Sequence, residues 1–233
     1  MAELSQANQY VYFDELLLSE NLLQSFDPKF WQVQGKVIGQ AHGRGISWFV
    51  RGEQLEMVLR HYYRGGLFGR VIRDQYWYTG NEATRSVAEF MLLRHLHQAG
   101  VPVPRPVAAH VVRHGCFYQA DILVERIAAA RDLVAILQEK TLSDTAWQQV
   151  GRAIKKMHCA GVCHTDLNAH NILLDNQNKV WLIDFDKCSI RSNGPWTQMN
   201  LSRLQRSLRK EVQRAQILWH EDDWSTLLQG YRE

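Results

Sequence analysis

Residues 164–186 read HTDLNAHNILLDNQNKVWLIDFD, and the punctuation of this stretch decides the fold. Two short apolar runs, 172–174 and 180–183, flank Asp175-Asn176-Gln177-Asn178, a cluster of turn formers. The segment reads as loop, strand, turn, strand, loop, and such a hairpin brings its two polar outer ends together. Asp166 and Asn171 stand at one end and Asp184 at the other. Three oxygen-bearing side chains facing one another suit a small divalent cation such as Mg²⁺, which takes hard oxygen ligands in octahedral geometry. The chemistry that needs this arrangement is phosphoryl transfer, in which a carboxylate orients a hydroxyl while metal neutralises a triphosphate.

His164-Thr165-Asp166 followed by Asn171 fits H-x-D-x-x-x-x-N, and Asp184-Phe185-Asp186 fits D-F-G with its Gly replaced. The competing reading is that these are only the polar ends of a β-hairpin, but two motifs at this separation, each beside an apolar strand, argue against it. On these residues the chain resembles the protein-kinase-like superfamily. The resemblance implies Asp166 as catalytic base, Asn171 and Asp184 as ligands of Mg²⁺, and ATP as co-substrate. It also implies an α+β, bilobal fold: an antiparallel-sheet N-lobe with one helix over 1–124, and a short, mainly helical C-lobe over 125–233.

Upstream of this stretch the pattern is one of strands, over 34–40, 46–51 and 55–61. Between the first two lies Gly39-Gln40-Ala41-His42-Gly43-Arg44-Gly45, whose glycines allow the backbone to approach phosphates and offer N–H groups to them. Its spacing is not G-x-G-x-x-G, so it is its place ahead of the catalytic loop that makes Gly43, Arg44 and Gly45 a nucleotide cover. Met57-Val58-Leu59-Arg60 occupies the place of V-A-I-K, with Arg60 where a phosphate-pairing Lys is expected. Arginine also holds phosphate, by a planar fork in place of a point charge.

Residues 81–98 read as a helix with Asn81 as N-cap and Gly100 past the end. Glu89 shares a stripe with Leu92, Leu93 and Leu96, and a carboxylate on an apolar face must find a partner. Two cations are in reach: Arg85, four residues earlier on the same face, and Arg60 of the third strand. Val101-Pro102-Val103-Pro104 then enforces an extended link. A hairpin over 107–112 and 117–124 follows, and the backbone near Glu125 stands where a hinge would meet adenine. Residues 143–160 form a helix, with Trp147, Val150, Ile154 and Met157 inward, leading into the catalytic loop.

Composition sets the bounds. A chain of 233 residues with 45% hydrophobic and 22% charged residues buries a core without disulfide staples. A formal charge of +3 names no nucleic-acid partner. Cys116, Cys159, Cys163 and Cys188, in a chain with no basic-apolar leader at its start, read as reduced thiols. The cluster His158, Cys159, Cys163, His164 raises zinc, but it ends a helix and enters the catalytic motif, which is the stronger account. No apolar run reaches the length of about 20 residues that a membrane span needs.

Two basic stretches remain. Residues 60–73, RHYYRGGLFGRVIR, mix arginines with aromatics and glycines, and Arg64, Arg70 and Arg73 suit an anionic sugar or lipid headgroup if they are not merely solvated. After Asp186 one amphipathic helix is expected. Leu204, Leu208, Val212 and Trp219 lie on one arc, opposite Arg203, Arg206, Lys210 and Arg214. That basic arc faces either solvent or an anionic membrane surface.

There is no A-P-E element, little chain follows Asp186, and Asn168 stands where protein-serine kinases place Lys. A small-molecule or glycolipid acceptor therefore fits better than a peptide. Phe26-Asp27-Pro28 with Trp31, Gly43-Arg44-Gly45 followed by Trp48-Phe49-Val50, Leu59-Arg60-His61-Tyr62, Arg64-Gly65-Gly66, and Thr84-Arg85 with Glu89 come in a specific order. In these, and in the 101–104 link and Asp184-Phe185-Asp186, the chain resembles the Kdo (3-deoxy-D-manno-octulosonic acid) kinases and, less closely, the heptose kinases of the lipopolysaccharide core. The resemblance implies ATP-dependent phosphorylation of the Kdo 4-hydroxyl on a Kdo-bearing lipid A precursor, by a peripheral protein of the cytoplasmic leaflet of the inner membrane. A compact atypical protein kinase, a heptose kinase and a non-catalytic nucleotide-binding module are the alternatives.

Overall fold

The computed structural model describes residues 1–42, 45–64, 73–192 and 194–233. The chain divides into two compact units, Met1–Met91 with Arg105–Arg126, and Leu92–Pro104 with Ile127–Glu233.

Unit 1 is built on an antiparallel sheet. Its elements in chain order are β1 (Ala2–Gln6), β2 (Gln9–Phe13), α1 (Pro28–Val33), β3 (Val37–His42), β4 (Ile46–Arg51), β5 (Glu56–His61) and β6 (Tyr76–Trp77). The first part of α2 (Arg85–Gln98) follows, then β7 (Pro106–His114) and β8 (Phe117–Glu125). The strands run β1-β2-β7-β8-β5-β4-β3, with β6 also on β8. Register is fixed by turn chemistry: β7 and β8 close at His114↔Phe117, around Gly115 at φ 61°, where a residue without Cβ is unstrained. β5 pairs with β8 so that Arg60 lies opposite Ile122 and Met57 opposite Glu125.

The core of this unit gathers Val11, Phe13, Phe26, Trp31, Val50, Met57, Leu59 and Leu123. The aromatic segment around Pro28 is thus a plug. Asp27 caps α1 by accepting from the Lys29 N–H at 2.9 Å, Pro28 opens the helix, and the Trp31 indole donates to Ser25 O at 2.8 Å. The hairpin β1–β2 escapes a reading by alternation because Val11, Tyr12 and Phe13 are buried in succession, as expected of a strand covered on both faces. Helix α2 begins at Arg85, not Asn81: the N–H and hydroxyl of Thr84 both donate to Asn81 O, at 3.0 and 2.5 Å, and make a separate turn before it.

Unit 2 is mainly helical. It contains β9 (Arg131–Asp132), α3 (Leu133–Leu137), α4 (Asp144–Cys159), β10 (Val162–Cys163), β11 (Ile172–Leu174), β12 (Val180–Leu182), β13 (Ser189–Ile190), α5 (Trp196–Ala215) and α6 (Glu221–Arg232). Ser143 caps α4, and Trp147, Val150, Ile154 and Met157 form its buried stripe. Helices α4 and α6 touch backbone to backbone. A Cβ added at Gly151 would lie 2.1 Å from Leu227 O, and one added at Gly230 would lie 2.2 Å from Gln148 O. The second helix after Asp186 is a departure from the sequence reading. Gln216, at φ 55°, ends α5, and His220 and Asp223 form a capping box that opens α6. Ile217 and Trp219, which extend the apolar arc, are buried in the link between the two helices. No helix among the described residues is long and apolar enough to cross a membrane.

Candidate active site

The catalytic-loop segment is held by its own imidazole. His164 is fully buried; its Nε2 lies 3.0 Å from Ile183 O, and its Nδ1 lies 3.2 Å from the N–H of Asp166. An amide can only donate and a carbonyl can only accept, so the ring is the neutral Nε2–H tautomer. Burial holds its pKa below the usual histidine value, in keeping with that state. One ring thereby ties the residue before Asp184 to the backbone of Asp166. Phe185, itself 1% exposed, packs against the same imidazole with centroids 4.8 Å apart.

The hairpin completes the frame. Ile172 pairs with Leu182, the Ile183 N–H donates to Asn171 O at 3.0 Å, and the Asn171 amide donates to Asp166 O at 2.9 Å. Asn168, in the usual place of Lys, also donates to Asp166 O, at 3.0 Å. Asp184 sits at φ 64° in the left-handed region, a conformation in which side chains are strained. Asp166 and Asn171 are therefore joined by hydrogen bonds to each other and, through His164 and Asn171 O, to Ile183, the residue before Asp184. With its Nδ2 turned to Asp166 O, Asn171 is left with Oδ1 as its free acceptor, and Asp184 adds carboxylate oxygen, a donor set that suits Mg²⁺. Among the described residues no group of three His, Cys, Asp or Glu side chains converges as a metal site. His158 faces the Tyr231 hydroxyl at 2.8 Å and Asn200 Oδ1 at 3.3 Å, and all four cysteines are free thiols.

Helix α5 supplies what the sequence reading placed on a solvated or membrane-facing arc. Asn200, Arg203 and Ser207 recur at helical spacing on one stripe. Asn200 Oδ1 accepts from the His164 N–H at 3.1 Å and its Nδ2 donates to His164 O at 3.0 Å, while Ser207 Oγ accepts from the Ala169 N–H at 3.2 Å. Between them the guanidinium of Arg203 pairs with the Asp166 carboxylate, both side chains being about half exposed. The signal for this stripe was two small polar residues, Asn200 and Ser207, three before and four after an arginine.

In unit 1, Arg60 Nη2 lies 2.6 Å from both carboxylate oxygens of Glu89, and the Tyr62 hydroxyl donates to Oε2 at 2.5 Å. Burial and then the Glu89 charge push the Tyr62 pKa well up, so it remains a donor. Arg85 stands over the rings of Tyr76 and Tyr62 and donates to the Tyr76 hydroxyl at 2.7 Å. Gly45 lies against the Tyr63 ring: a Cβ there would meet it at 2.2 Å unless the ring moved. Gly43, Arg44 and Arg70 lie outside the described residues. Arg64 stacks on Tyr76 and its N–H donates to Arg73 O at 2.7 Å, while the Arg73 side chain is exposed. At the expected hinge the N–H of Glu125 donates to Arg105 O and that of Arg126 to Glu56 O, both at 2.8 Å, so neither amide is open to a nucleotide base. The Glu125 carboxylate pairs with Arg105 at 3.2 Å.

Comparison with known proteins agrees with this frame. The sequence model of the lipopolysaccharide kinase (Kdo/WaaP) family matches residues 28–231. A 3-deoxy-D-manno-octulosonic acid kinase of Vibrio cholerae is 56% identical over 215 residues, covering 92% of either chain. One from Photobacterium profundum is 54% identical, over 99% of this chain and 98% of the relative, and one from Haemophilus influenzae is 47% identical over the whole of both. A solved structure of WaaP in complex with acyl carrier protein shares the fold, with a TM-score of 0.62 at 18% identity, covering 95% of this chain and 88% of that one. With a family match of this length and relatives this similar, the chain belongs to the lipopolysaccharide kinase (Kdo/WaaP) family and is an ATP-dependent kinase.

Proposed function

We propose that this kinase transfers the γ-phosphoryl group of ATP to the 4-hydroxyl of a Kdo sugar on a lipid A precursor. The observation that carries the reading is the hydrogen-bonded frame of His164, in which one buried ring links the backbone of Asp166 to the strand end before Asp184. The relatives named as Kdo kinases, similar along nearly the whole chain, supply the acceptor.

In this reading Asp166 receives the sugar hydroxyl and accepts its proton as the bond to phosphorus forms, a step typically worth roughly 10²–10⁴-fold. Asn171 and Asp184 are the residues that would hold Mg²⁺, which when bound would supply positive charge against the phosphates. Arg60, oriented by Glu89 and Tyr62, presents its guanidinium to the phosphates. The glycine-rich sequence ending at Gly45 is assigned to the phosphates, whose oxygens its backbone N–H groups would meet. The protein works at the cytoplasmic face of the inner membrane by peripheral contact, where its acceptor resides and where basic side chains meet anionic headgroups.

Labelled ATP and Mg²⁺, offered with a Kdo-bearing lipid A precursor in one pool and protein in another, test the proposal. Label in the lipid, on the 4-hydroxyl of Kdo, is the expected outcome. Label in protein, or in neither pool, would overturn it.

A further inference from the structure

Beside the stripe that holds the catalytic loop, α5 carries a second face. Gln198, Met199, Ser202, Arg203 and Arg206 line a groove of about 560 Å³ together with Thr165 and Arg191. That volume falls within the roughly 300–1,000 Å³ of small-molecule sites. Its chemistry is one-sided. Three guanidinium groups, Arg191, Arg203 and Arg206, line it, and no carboxylate does.

The three arginines differ in their engagement. Arg203 pairs with Asp166 through Nη2, which leaves other N–H groups of the fork for a second anion. Arg191 donates from Nε to Ser189 Oγ at 3.3 Å, and neither it nor Arg206 has a carboxylate partner among the described residues. Met199, 67% exposed, adds an apolar rim. Neither Asn171 nor Asp184 lines the groove, whereas Thr165, adjacent in sequence to Asp166, does. The groove thus adjoins the residue read as the base through Arg203, which lines it and pairs with Asp166, and neither residue read as a metal ligand lines it.

We propose that this groove is the acceptor subsite, in which Arg191, Arg203 and Arg206 hold an oxyanion of a sugar acid while a hydroxyl of the same molecule meets Asp166. Guanidinium forks match carboxylate and phosphate in two hydrogen bonds at once, and a neutral sugar would leave Arg191 and Arg206 without an anion. With acceptor bound, Arg203 sits between two anions, the acceptor's and that of Asp166, and so fixes the distance from the anchoring group to the hydroxyl. The inference rests on Asp166 being the base of the proposed reaction. The oxyanion is the sugar's own carboxylate or a phosphate on the lipid, and the two are separable by experiment.

Calorimetric titration of the full-length protein with a Kdo-bearing lipid A precursor in detergent micelles tests it without turnover. Arg206→Ala and Arg191→Ala should each weaken binding by about tenfold or more, with Arg206→Lys in between. A precursor whose Kdo carboxylate has been reduced to the alcohol should bind wild type and Arg206→Ala alike if the carboxylate is the anchor. A precursor lacking its lipid phosphates should do so if a phosphate is. Equal affinity of the intact precursor for wild type and both alanine variants, or no binding to wild type, would overturn the groove. Transfer that fails while binding still depends on Arg206 would instead remove the reading of Asp166 and leave the subsite standing.

Discussion

Arg60 of β5 and Glu89 of α2 form an ion pair in which one guanidinium nitrogen lies 2.6 Å from both carboxylate oxygens, with the Tyr62 hydroxyl on the same carboxylate. Glu89 is only 4% exposed, so the pair holds a buried charge that water does not reach. Removing the cation takes one partner from that buried charge. Arg60→Ala is therefore expected to destabilise the fold by about 3 kcal/mol, and Arg60→Ala with Glu89→Gln by less than the single change, because the double variant buries no uncompensated charge. Urea unfolding of the four proteins of this cycle checks the sign. A single variant as stable as wild type would show the pair to be solvated.

Asp166 is half exposed and its carboxylate is paired only at the surface, with Arg203. Asp166→Ala should accordingly change stability by no more than about 1 kcal/mol while kcat falls by about 10²–10⁴-fold. Asp166→Asn keeps the hydrogen bonds of the side chain but takes no proton, and should lose activity to a similar degree. Retention of wild-type turnover in either variant would remove Asp166 from the mechanism.

The residues around this carboxylate divide by how local their signals are. Asp166, Asn171 and Asp184 were legible because a turn tetrad and two apolar runs fix their relation within one hairpin. The pairing of Glu89 with Arg60 was one of two open options, since a helix stripe shows that a carboxylate needs a cation but not whether its own helix, through Arg85, or the third strand provides it. Arg203 does lie on an exposed basic arc, as read, but its pairing with Asp166 was not foreseen. Periodicity separates polar from apolar positions, and the contact with Asp166 is made across 37 positions of sequence by tertiary packing alone. The hairpin β1–β2 was missed because Val11 to Phe13 show no alternation, and α6 because its start depends on the capping of His220 by Asp223 and not on an apolar stripe.

Two buried histidines of unit 2 set an acid limit on stability. Burial lowers His158 to about 4, and it lowers His164 as well, whereas both take the ordinary value of about 6.5 when unfolded. Below that value the unfolded chain binds protons that the folded one refuses, so stability is full above about pH 6.5 and falls as pH drops toward 4. His158 alone should account for a loss of about 3 kcal/mol across that window. Urea midpoints from pH 7.5 to 4.5 should slope downward in the wild type, and less steeply in His158→Gln. An unchanged slope in the variant would place the proton uptake elsewhere.

The contact of α4 with α6 allows no side chain at two positions. A Cβ at Gly151 would stand 2.1 Å from Leu227 O and 2.7 Å from Tyr231 N, and one at Gly230 would stand 2.2 Å from Gln148 O and 2.6 Å from Gln148 Cα. The obstacles are backbone atoms, which cannot rotate aside as a flexible side chain would, so either alanine must push the helices apart. In an isolated helix Gly→Ala is favourable by about 1 kcal/mol. Here the sign should reverse, with Gly151→Ala and Gly230→Ala each destabilising by about 2 kcal/mol or more. Gly115→Ala, in the β7–β8 turn at positive φ with nothing near its missing Cβ, is a control that costs only local strain of about 1 kcal/mol. Because α4 leads through Gly161 and β10 into His164, displacement of α4 should also lower kcat at temperatures where the variants remain folded. Thermal unfolding followed by circular dichroism, with activity read well below the midpoint, separates the two effects. Stabilisation by either alanine would show that the two helix backbones are not in contact.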